Sequence, residues 1–250
     1  MPIRPLKQLG QNFLSNAGIV AKIIQEANLQ KDDVVLEVGP GKGILTKEIA
    51  KQVKKVIAIE KDIRLIEPLK EELKDCENVI VVHGDILNFQ FSISNFQSIS
   101  NDPIFKEYKV VANLPFYLAN HLIRKFLELE VQPKQMTLII QKEVAKRIVA
   151  KPPKTNLLAI SVDFYADAKI LFYIPKKYFK PVPKVDSAII QITPRKKYQA
   201  NPKNFFQLVK AGYSHPRKQL QNNLKNAGEF RRARAENLST DNWIDLLKMV

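Results

Sequence analysis

The most constraining feature of the sequence is a strand pattern that runs directly into a glycine-rich turn and a helix. The β-branched run Val34–Val38 is followed by Gly39-Pro40-Gly41-Lys42-Gly43 and then by the helical pattern of Ile44–Gln52. Glycine lets a backbone turn sharply and approach a ligand closely, because it has no side chain. This succession predicts an open α/β sheet with a ligand bound at the turn.

The spacing of the glycines narrows the kind of ligand. A dinucleotide-binding turn has glycine at its first, third and sixth positions. In this chain glycine stands at the first, third and fifth positions, and the sixth residue is Ile44. A ligand without a pyrophosphate, such as S-adenosylmethionine, is therefore favoured, although a dehydrogenase remains the alternative from the turn alone.

The rest of the sequence alternates strand and helix patterns. Further strands are predicted at Lys55–Glu60, Val79–Val82, Lys109–Ala112, Met136–Ile140, Lys169–Ile174 and Ser187–Ile192. Further helices are predicted at Ile19–Ala27, Ile63–Lys74, Ala119–Leu129 and Lys142–Ala150. This order favours a mostly parallel seven-stranded sheet with helices on both faces, closed by an antiparallel pair. We expect Pro175–Lys184 to be a loop that is neither helix nor strand, and the Ser/Asn-rich Phe89–Phe105 to be a surface excursion.

The charge of the chain is strongly positive and unevenly distributed. Forty Lys and Arg residues against 25 Asp and Glu give a net charge of +15, which favours a polyanionic partner such as nucleic acid. From Arg195 to Val250 there are 12 basic and 4 acidic residues, with apolar positions at helical spacing. We therefore predict a larger domain over 1–195 and a basic helical domain over 196–250.

The remaining composition argues against several classes of protein. Cys76 is the single cysteine, so no internal disulfide forms, and the three histidines lack metal-ligand spacing. We expect no metal site. No apolar run follows the basic residues near the N-terminus, and no stretch is long enough to span a bilayer. These features predict a cytoplasmic protein, or one of an organelle matrix, with no membrane partner.

Two carboxylates stand where successive strands end. Glu60 ends the second predicted strand and Asp85 follows the third. Ligands of open α/β sheets collect at this edge, where Glu60 can accept both hydroxyls of a ribose and Asp85 can accept from an adenine amino group. The alternatives are a charge at a helix N-terminus for Glu60 and a turn or capping residue for Asp85.

The chemical centre is predicted at Asn113-Leu114-Pro115-Phe116, directly after the fourth strand. An exocyclic base amine is a poor nucleophile, because its lone pair is delocalised into the ring. Two acceptors, the amide oxygen of Asn113 and the backbone carbonyl of Leu114, can draw that nitrogen towards a tetrahedral shape. Pro115 stiffens the turn, and Phe116 can stack on a base taken out of its helix. In isolation the same four residues would be only a turn with a buried ring.

Six motifs in order resemble the ribosomal RNA adenine dimethyltransferases of the small subunit, over nearly the whole chain. They are Gly10-Gln11-Asn12-Phe13-Leu14, Glu37 to Gly43, Glu60, Gly84-Asp85, Asn113 to Phe116, and Phe179 to Ser187. Gln141 to Arg147 resembles the helix after strand five, and Arg217 to Leu224 resembles the family's basic helix. The chain departs from the family pattern at Leu118-Ala119-Asn120, Leu157-Leu158 and Pro216.

The resemblance implies a Rossmann-like S-adenosylmethionine methyltransferase fold and specific site residues. Cofactor contacts are implied at Gln11, Asn12, Leu14, Gly39, Gly41, Glu60, Lys61, Asp85, Ile86 and Asn113. Phe116 and Phe179 would hold the target base. Contacts with RNA phosphates are expected at Lys180, Lys184, Arg217 and Lys218, although the last two fit a solvated face almost as well. For Phe179 the alternative is a core ring that anchors the hairpin.

The function implied is N6-dimethylation of two adjacent adenines in a 3′-terminal hairpin of small-subunit rRNA. The expected partner is that rRNA within a pre-ribosomal subunit, bound by a monomer. One alternative is a related enzyme that methylates large-subunit rRNA and confers antibiotic resistance. Another is a non-catalytic ribosome-assembly or mitochondrial transcription factor on the same fold. A small-molecule methyltransferase would leave the basic domain unexplained.

Overall fold

The computed structural model describes residues 5–6, 10–88, 107–115 and 117–249. The predicted surface excursion at Phe89–Phe105 and the aromatic residue Phe116 lie outside these ranges. Nine strands occur in the described part: β1 (Phe13–Leu14), β2 (Val34–Val38), β3 (Lys55–Glu60), β4 (Val79–His83), β5 (Lys109–Asn113), β6 (Gln135–Gln141), β7 (Ala166–Ile174), β8 (Phe179–Lys180) and β9 (Ser187–Pro194).

Seven of the strands in the described ranges form one sheet in the order β4-β3-β2-β5-β6-β9-β7. The first five of these pair in parallel, and β9 pairs antiparallel with β6. Strands β2, β3 and β5 are almost wholly buried, as expected for parallel strands covered on both faces. The carboxyl ends of β2 to β5 therefore meet along one edge.

The α-helices found in the described ranges are α1 (Ala17–Glu26), α2 (Ile44–Ala50), α3 (Ile63–Glu72), α4 (Ala119–Glu128), α5 (Lys142–Ile148), α6 (Leu157–Tyr165), α7 (Pro202–Gly212) and α8 (Thr240–Lys248). Several begin at a side chain that accepts a hydrogen bond from the first turn, as Asp62 does for α3 and Ser239 for α8. Such caps satisfy N–H groups that have no partner within the helix.

The chain divides into two compact units. Of the described residues, those within 1–142 and 169–193 form the sheet unit, and those within 143–168 and 194–250 form the helical unit. This division differs from the predicted boundary at residue 195, because α6 packs with the C-terminal helices. Phe164 of α6 stacks on Phe205 of α7 at a centroid distance of 4.4 Å, and both rings are buried.

Two local predictions were wrong. Pro175–Lys184 was expected to lack regular structure, but Lys176–Tyr178 is a 3₁₀ turn and Phe179–Lys180 pairs with β1. Arg217 to Leu224 was expected to be a basic helix, but only Leu220–Asn222 is helical, as a 3₁₀ turn. Gln219 of this segment instead forms an isolated antiparallel bridge with Arg234, and the N–H of Leu220 donates to the carbonyl of Ala233 at 2.8 Å. Backbone groups that a continuous helix would use are therefore bonded elsewhere.

Candidate functional site

A cavity lies at the carboxyl ends of β2, β3, β4 and β5 in the sheet unit. About 890 Å³ of empty space lies within the cavity and its solvent-open mouth. Most of the predicted site residues line it: Gln11, Asn12, Gly39, Gly41, Glu60, Lys61, Asp85, Ile86, Asn113, Leu114, Pro115 and Phe179.

The other predicted site residues lie elsewhere. Leu14 is buried in the hydrophobic core and borders a smaller neighbouring cavity. Lys180 and Lys184 are exposed and do not line the main cavity. Arg217 and Lys218 are exposed residues of the helical unit. Phe116 falls outside the described residues.

The glycine-rich turn has a left-handed backbone that excludes larger residues. The φ angles of Gly39, Gly41 and Gly43 are +67°, +60° and +78°, in the region that residues with a Cβ rarely adopt. A Cβ atom on Gly41 would also lie 2.9 Å from the ring of Phe13. The turn therefore needs glycine both for its backbone and for the close approach of the N-terminal segment.

Glu60 connects this turn to the start of α3. Its Oε2 accepts a hydrogen bond from the N–H of Gly41 at 3.1 Å, and its Oε1 accepts from the N–H of Asp62 at 2.8 Å. Burial raises the pKa of the Glu60 carboxyl, and the two backbone hydrogen bonds oppose that rise. The arrangement combines both sequence-based interpretations, because the same carboxylate borders the cavity and contacts a helix N-terminus.

Asp62 holds the N-terminal segment against the sheet unit. Its Oδ2 accepts from Nε2 of Gln11 at 2.8 Å, and the guanidinium of Arg64 donates to both carboxylate oxygens. The hydrogen bonds from Arg64 lower the pKa of Asp62 to about 2. Sequence analysis did not identify this role, because Gln11 and Asp62 are 51 positions apart. The only signal was that Asp62 precedes an apolar helical pattern.

Asp85 forms an ion pair at the cavity wall. Its Oδ2 lies 2.7 Å from Nζ of Lys61, and its Oδ1 accepts from the N–H of Leu87 at 3.0 Å. Partial burial raises the pKa of the Asp85 carboxyl, but the hydrogen bonds from Lys61 and Leu87 outweigh burial, so the pKa lies below its usual value. Asp85 is thus also the turn residue that the alternative interpretation described.

Lys125 of α4 holds the backbone of the two residues that follow Asp85. Its Nζ donates to the backbone carbonyl of Ile86 at 3.1 Å and to that of Leu87 at 2.5 Å. A lysine within a helix gave no sequence signal for this contact, which joins residues 38 or 39 positions apart. Lys125 fixes the backbone that presents Asp85 and Ile86 to the cavity.

Asn113 is oriented by the N-terminal segment. Its Nδ2 donates to the backbone carbonyl of Asn12 at 3.0 Å. A carbonyl can only accept, so the amide must present its nitrogen to Asn12 and keep its oxygen as a separate acceptor. The next residue, Leu114, donates its N–H to the carbonyl of Ile139 at 3.1 Å, which anchors the turn to β6.

Phe179 lies between the cavity and the core. Its residue is 1% exposed and belongs to the main core cluster, yet it also lines the cavity. Strand β8, which carries it, pairs with β1 so that Phe13 faces Lys180 and Leu14 faces Phe179. The N–H of Ser15 extends this pairing to the carbonyl of Tyr178 at 2.9 Å. The late loop and the N-terminal motif are therefore joined.

Glu37 is a buried acid that sequence analysis did not single out. It is 2% exposed on β2, and its Oε2 has no hydrogen-bond partner within the described ranges. Burial raises the pKa of its carboxyl to about 8, although the neighbouring side chain of Thr46 opposes this. In the described part of the chain, no cluster of His, Cys, Asp and Glu side chains is arranged to hold a metal ion. None of the helices there combines the length and the apolar character that crossing a bilayer requires.

The fold matches that of solved methyltransferases. One is a dimethyladenosine transferase from Plasmodium falciparum, with a TM-score of 0.80 and 24% identity over 95% of this chain and 96% of that one. Another is the 23S rRNA methyltransferase ErmE, with a TM-score of 0.74 and 24% identity over 95% of this chain and 98% of that one. The predicted Rossmann-like methyltransferase fold is therefore confirmed.

Similarity in sequence identifies the family, which similarity in fold alone does not. The family model for ribosomal RNA adenine dimethylase matches residues 5–247. The ribosomal RNA small subunit methyltransferase A of Dehalococcoides mccartyi is 38% identical over 96% of this chain and 87% of its own length. The protein of the same name from Bacillus licheniformis is 40% identical over 96% and 84%. The chain belongs to the ribosomal RNA adenine dimethylase family, as the sequence motifs predicted.

Proposed function

We propose that this chain transfers methyl groups from S-adenosylmethionine to N6 of two adjacent adenines in a 3′-terminal hairpin of small-subunit rRNA. It would act as a monomer on a pre-ribosomal subunit in the cytoplasm. The observation that carries this proposal is the orientation of Asn113, a residue that lines the cavity and whose Nδ2 donates to the carbonyl of Asn12, which leaves its Oδ1 to accept from another group. Methylation of an adenine requires a hydrogen-bond acceptor for the N6 amine at this position.

The residues around the cavity fit S-adenosylmethionine. Gly39 and Gly41 both have a positive φ, and a Cβ on Gly41 would also meet the ring of Phe13, so the turn keeps a bare backbone that a ligand can approach closely. Glu60 and Asp85 stand at the ends of neighbouring strands, where they can accept from ribose hydroxyls and from an adenine amino group. The remaining contacts would come from Gln11, Asn12, Leu14, Lys61 and Ile86. The cofactor supplies the methyl group.

The residues of the chain would position the adenine and its N6 amine, and none of them is required to remove a proton as a general base. Asn113 Oδ1 and the backbone carbonyl of Leu114 would accept the two hydrogens of the N6 amine and localise its lone pair on nitrogen. Phe179 offers one wall of the cavity, and Phe116 follows Pro115 in the chain, so the two rings would hold the base by stacking. Lys180, Lys184, Arg217 and Lys218 are exposed cations suited to phosphates.

A methylation assay on purified small and large subunits tests the proposal. We expect label from S-adenosylmethionine in the small-subunit rRNA, mapped as dimethyladenosine. Asn113→Ala should abolish transfer while leaving RNA binding nearly unchanged, because it removes an acceptor and no phosphate contact. Asn204→Ala, an exposed asparagine on α7, is the matched control and should methylate normally.

The assay also separates the alternatives. Label confined to the large subunit would replace the proposed substrate with that of the resistance enzymes. RNA binding without transfer by the native chain would favour a non-catalytic assembly or transcription factor. Normal methylation by Asn113→Ala would overturn the proposed role of its amide.

A further inference from the structure

Tyr173 is an exposed aromatic residue near the end of β7 in the sheet unit. It is 46% exposed, whereas the next residue, Ile174, is fully buried in the core. Successive side chains of a strand point to opposite faces, so Tyr173 is turned away from the core that Ile174 fills. Packing of the hydrophobic core therefore does not account for an aromatic ring at this position.

The ring lies on the same edge of the sheet as the cavity. β7 neighbours β9, whose first residue, Ser187, lines the cavity. The ends of these strands meet, because the N–H of Lys176 donates to Oδ1 of Asp186 at 3.0 Å. β7 is three strand intervals from β5, which ends at Asn113, and at about 4.8 Å per interval this is about 14 Å.

One lysine lies over the ring, and four more follow it in the chain. Nζ of Lys142 lies 5.1 Å from the centroid of the Tyr173 ring. The connection between β7 and β9 adds four exposed lysines: Lys176, Lys177, Lys180 and Lys184. Of these five lysines only Lys142 lies near a carboxylate within the described residues, at 3.9 Å from Asp186. Exposed aromatic rings combined with nearby cations are the usual means of binding single-stranded RNA, where bases stack on the rings and phosphates meet the charges.

We propose that Tyr173 is a stacking platform for a base of the single-stranded RNA that flanks the target adenine. This inference rests on the proposed function, because the cavity must hold a base of the same strand. A span of about 14 Å corresponds to about four stacked nucleotides at 3.4 Å each, or to fewer if the strand is unstacked. RNA rather than protein is the partner because the connection between β7 and β9 carries four exposed lysines and leads into Ser187, which lines the cavity.

The test combines a protein variant with abasic RNA. The probe is the target rRNA hairpin, carrying a single abasic site at each flanking position in turn. We expect one abasic site to weaken binding by the native chain about tenfold, and Tyr173→Ala to weaken binding of the intact hairpin by a similar factor. The two changes together should weaken binding no further than either alone. Tyr173→Phe, which keeps the ring, should bind within about twofold of the native chain.

Each other outcome overturns the inference. Additive losses would mean that Tyr173 and the abasic position do not meet. Unchanged RNA binding by Tyr173→Ala would mean that the ring has no RNA partner. Loss of methylation by Tyr173→Ala only on assembled subunits would mean that the ring contacts a ribosomal protein. The abasic series on the native chain needs no variant, so a flat series refutes the idea even if Tyr173→Ala fails to fold. Absence of methylation by the native chain would instead refute the proposed function.

Discussion

Replacing Glu37 by glutamine should change how the stability of the sheet unit depends on pH. Burial raises the pKa of this carboxyl from 4.5 to about 8, the neighbouring side chain of Thr46 opposes the rise, and the charge of Glu60 adds to it. Between these two values the folded chain keeps a proton that the unfolded chain releases. The free energy of unfolding of the native chain therefore falls by about 1.4 kcal/mol per pH unit as the pH rises.

Glu37→Gln keeps the size of the side chain but cannot ionise. The free energy of unfolding of the variant, relative to the native chain, should therefore increase by about 3 kcal/mol between about pH 5 and about pH 7. Urea unfolding followed by far-ultraviolet circular dichroism measures this difference, and hydrogen exchange of the β2 amides reports it locally. Trp243, the single tryptophan, is buried in the helical unit, so its fluorescence shows whether the two units unfold together.

The matched control is Glu48→Gln, since Glu48 lies on α2 with 41% of its side chain exposed. Its stability relative to the native chain should stay nearly constant over the same pH range. If Glu37→Gln gave an equally constant difference, Glu37 would not change its ionisation between the folded and unfolded states in this range, and the reasoning would be refuted.

Two further changes test contacts that support the cavity. Lys125→Met removes both hydrogen bonds to the carbonyls of Ile86 and Leu87, so steady-state kinetics should give a KM for S-adenosylmethionine about tenfold higher with a smaller change in kcat. Arg124→Met, on the exposed side of α4, should leave KM unchanged, and an equal KM for both variants would refute the supporting role. Asp62→Asn should lower the free energy of unfolding at neutral pH by about 2 kcal/mol, because the carboxyl pKa of about 2 reflects stability that is present above pH 3.8 and lost as the pH falls towards 2. Urea titrations should show the gap between Asp62→Asn and the native chain narrowing in acid, and a gap that persists there would contradict this account.

Elements with one strong pattern were predictable from the sequence. Strands such as Val34–Val38 and Lys55–Glu60 are apolar runs bounded by glycine or acid, and the structure has them at the same bounds. Helix α6 was not predicted, because its run Leu157–Phe164 is apolar on nearly every side and lacks the polar face that marks a helix in sequence. Its signal was the capping residue Asn156.

The candidate site was predictable where residues follow strand ends in order. Glu60, Asp85 and Asn113 were placed at one edge by the alternation of strands and helices alone, and the structure brings them to one cavity. The supporting contacts were not predictable, because Gln11 with Asp62 and Lys125 with Ile86 meet only through the tertiary fold. Strands β1 and β8 have two residues each, which is too short for a pattern to mark.

The pairing of β1 with β8 has a thermodynamic consequence. One strand of the pair belongs to the motif expected to contact the cofactor, and the other carries Phe179, expected to contact the base. A ligand that orders either strand lowers the entropy that the other ligand must remove on binding. Linkage then requires that the cofactor raise the affinity for RNA by the same factor as RNA raises the affinity for the cofactor. An enzyme that adds several methyl groups to one hairpin must exchange its cofactor between transfers. The bound RNA would oppose that exchange, because each bound ligand raises the affinity for the other.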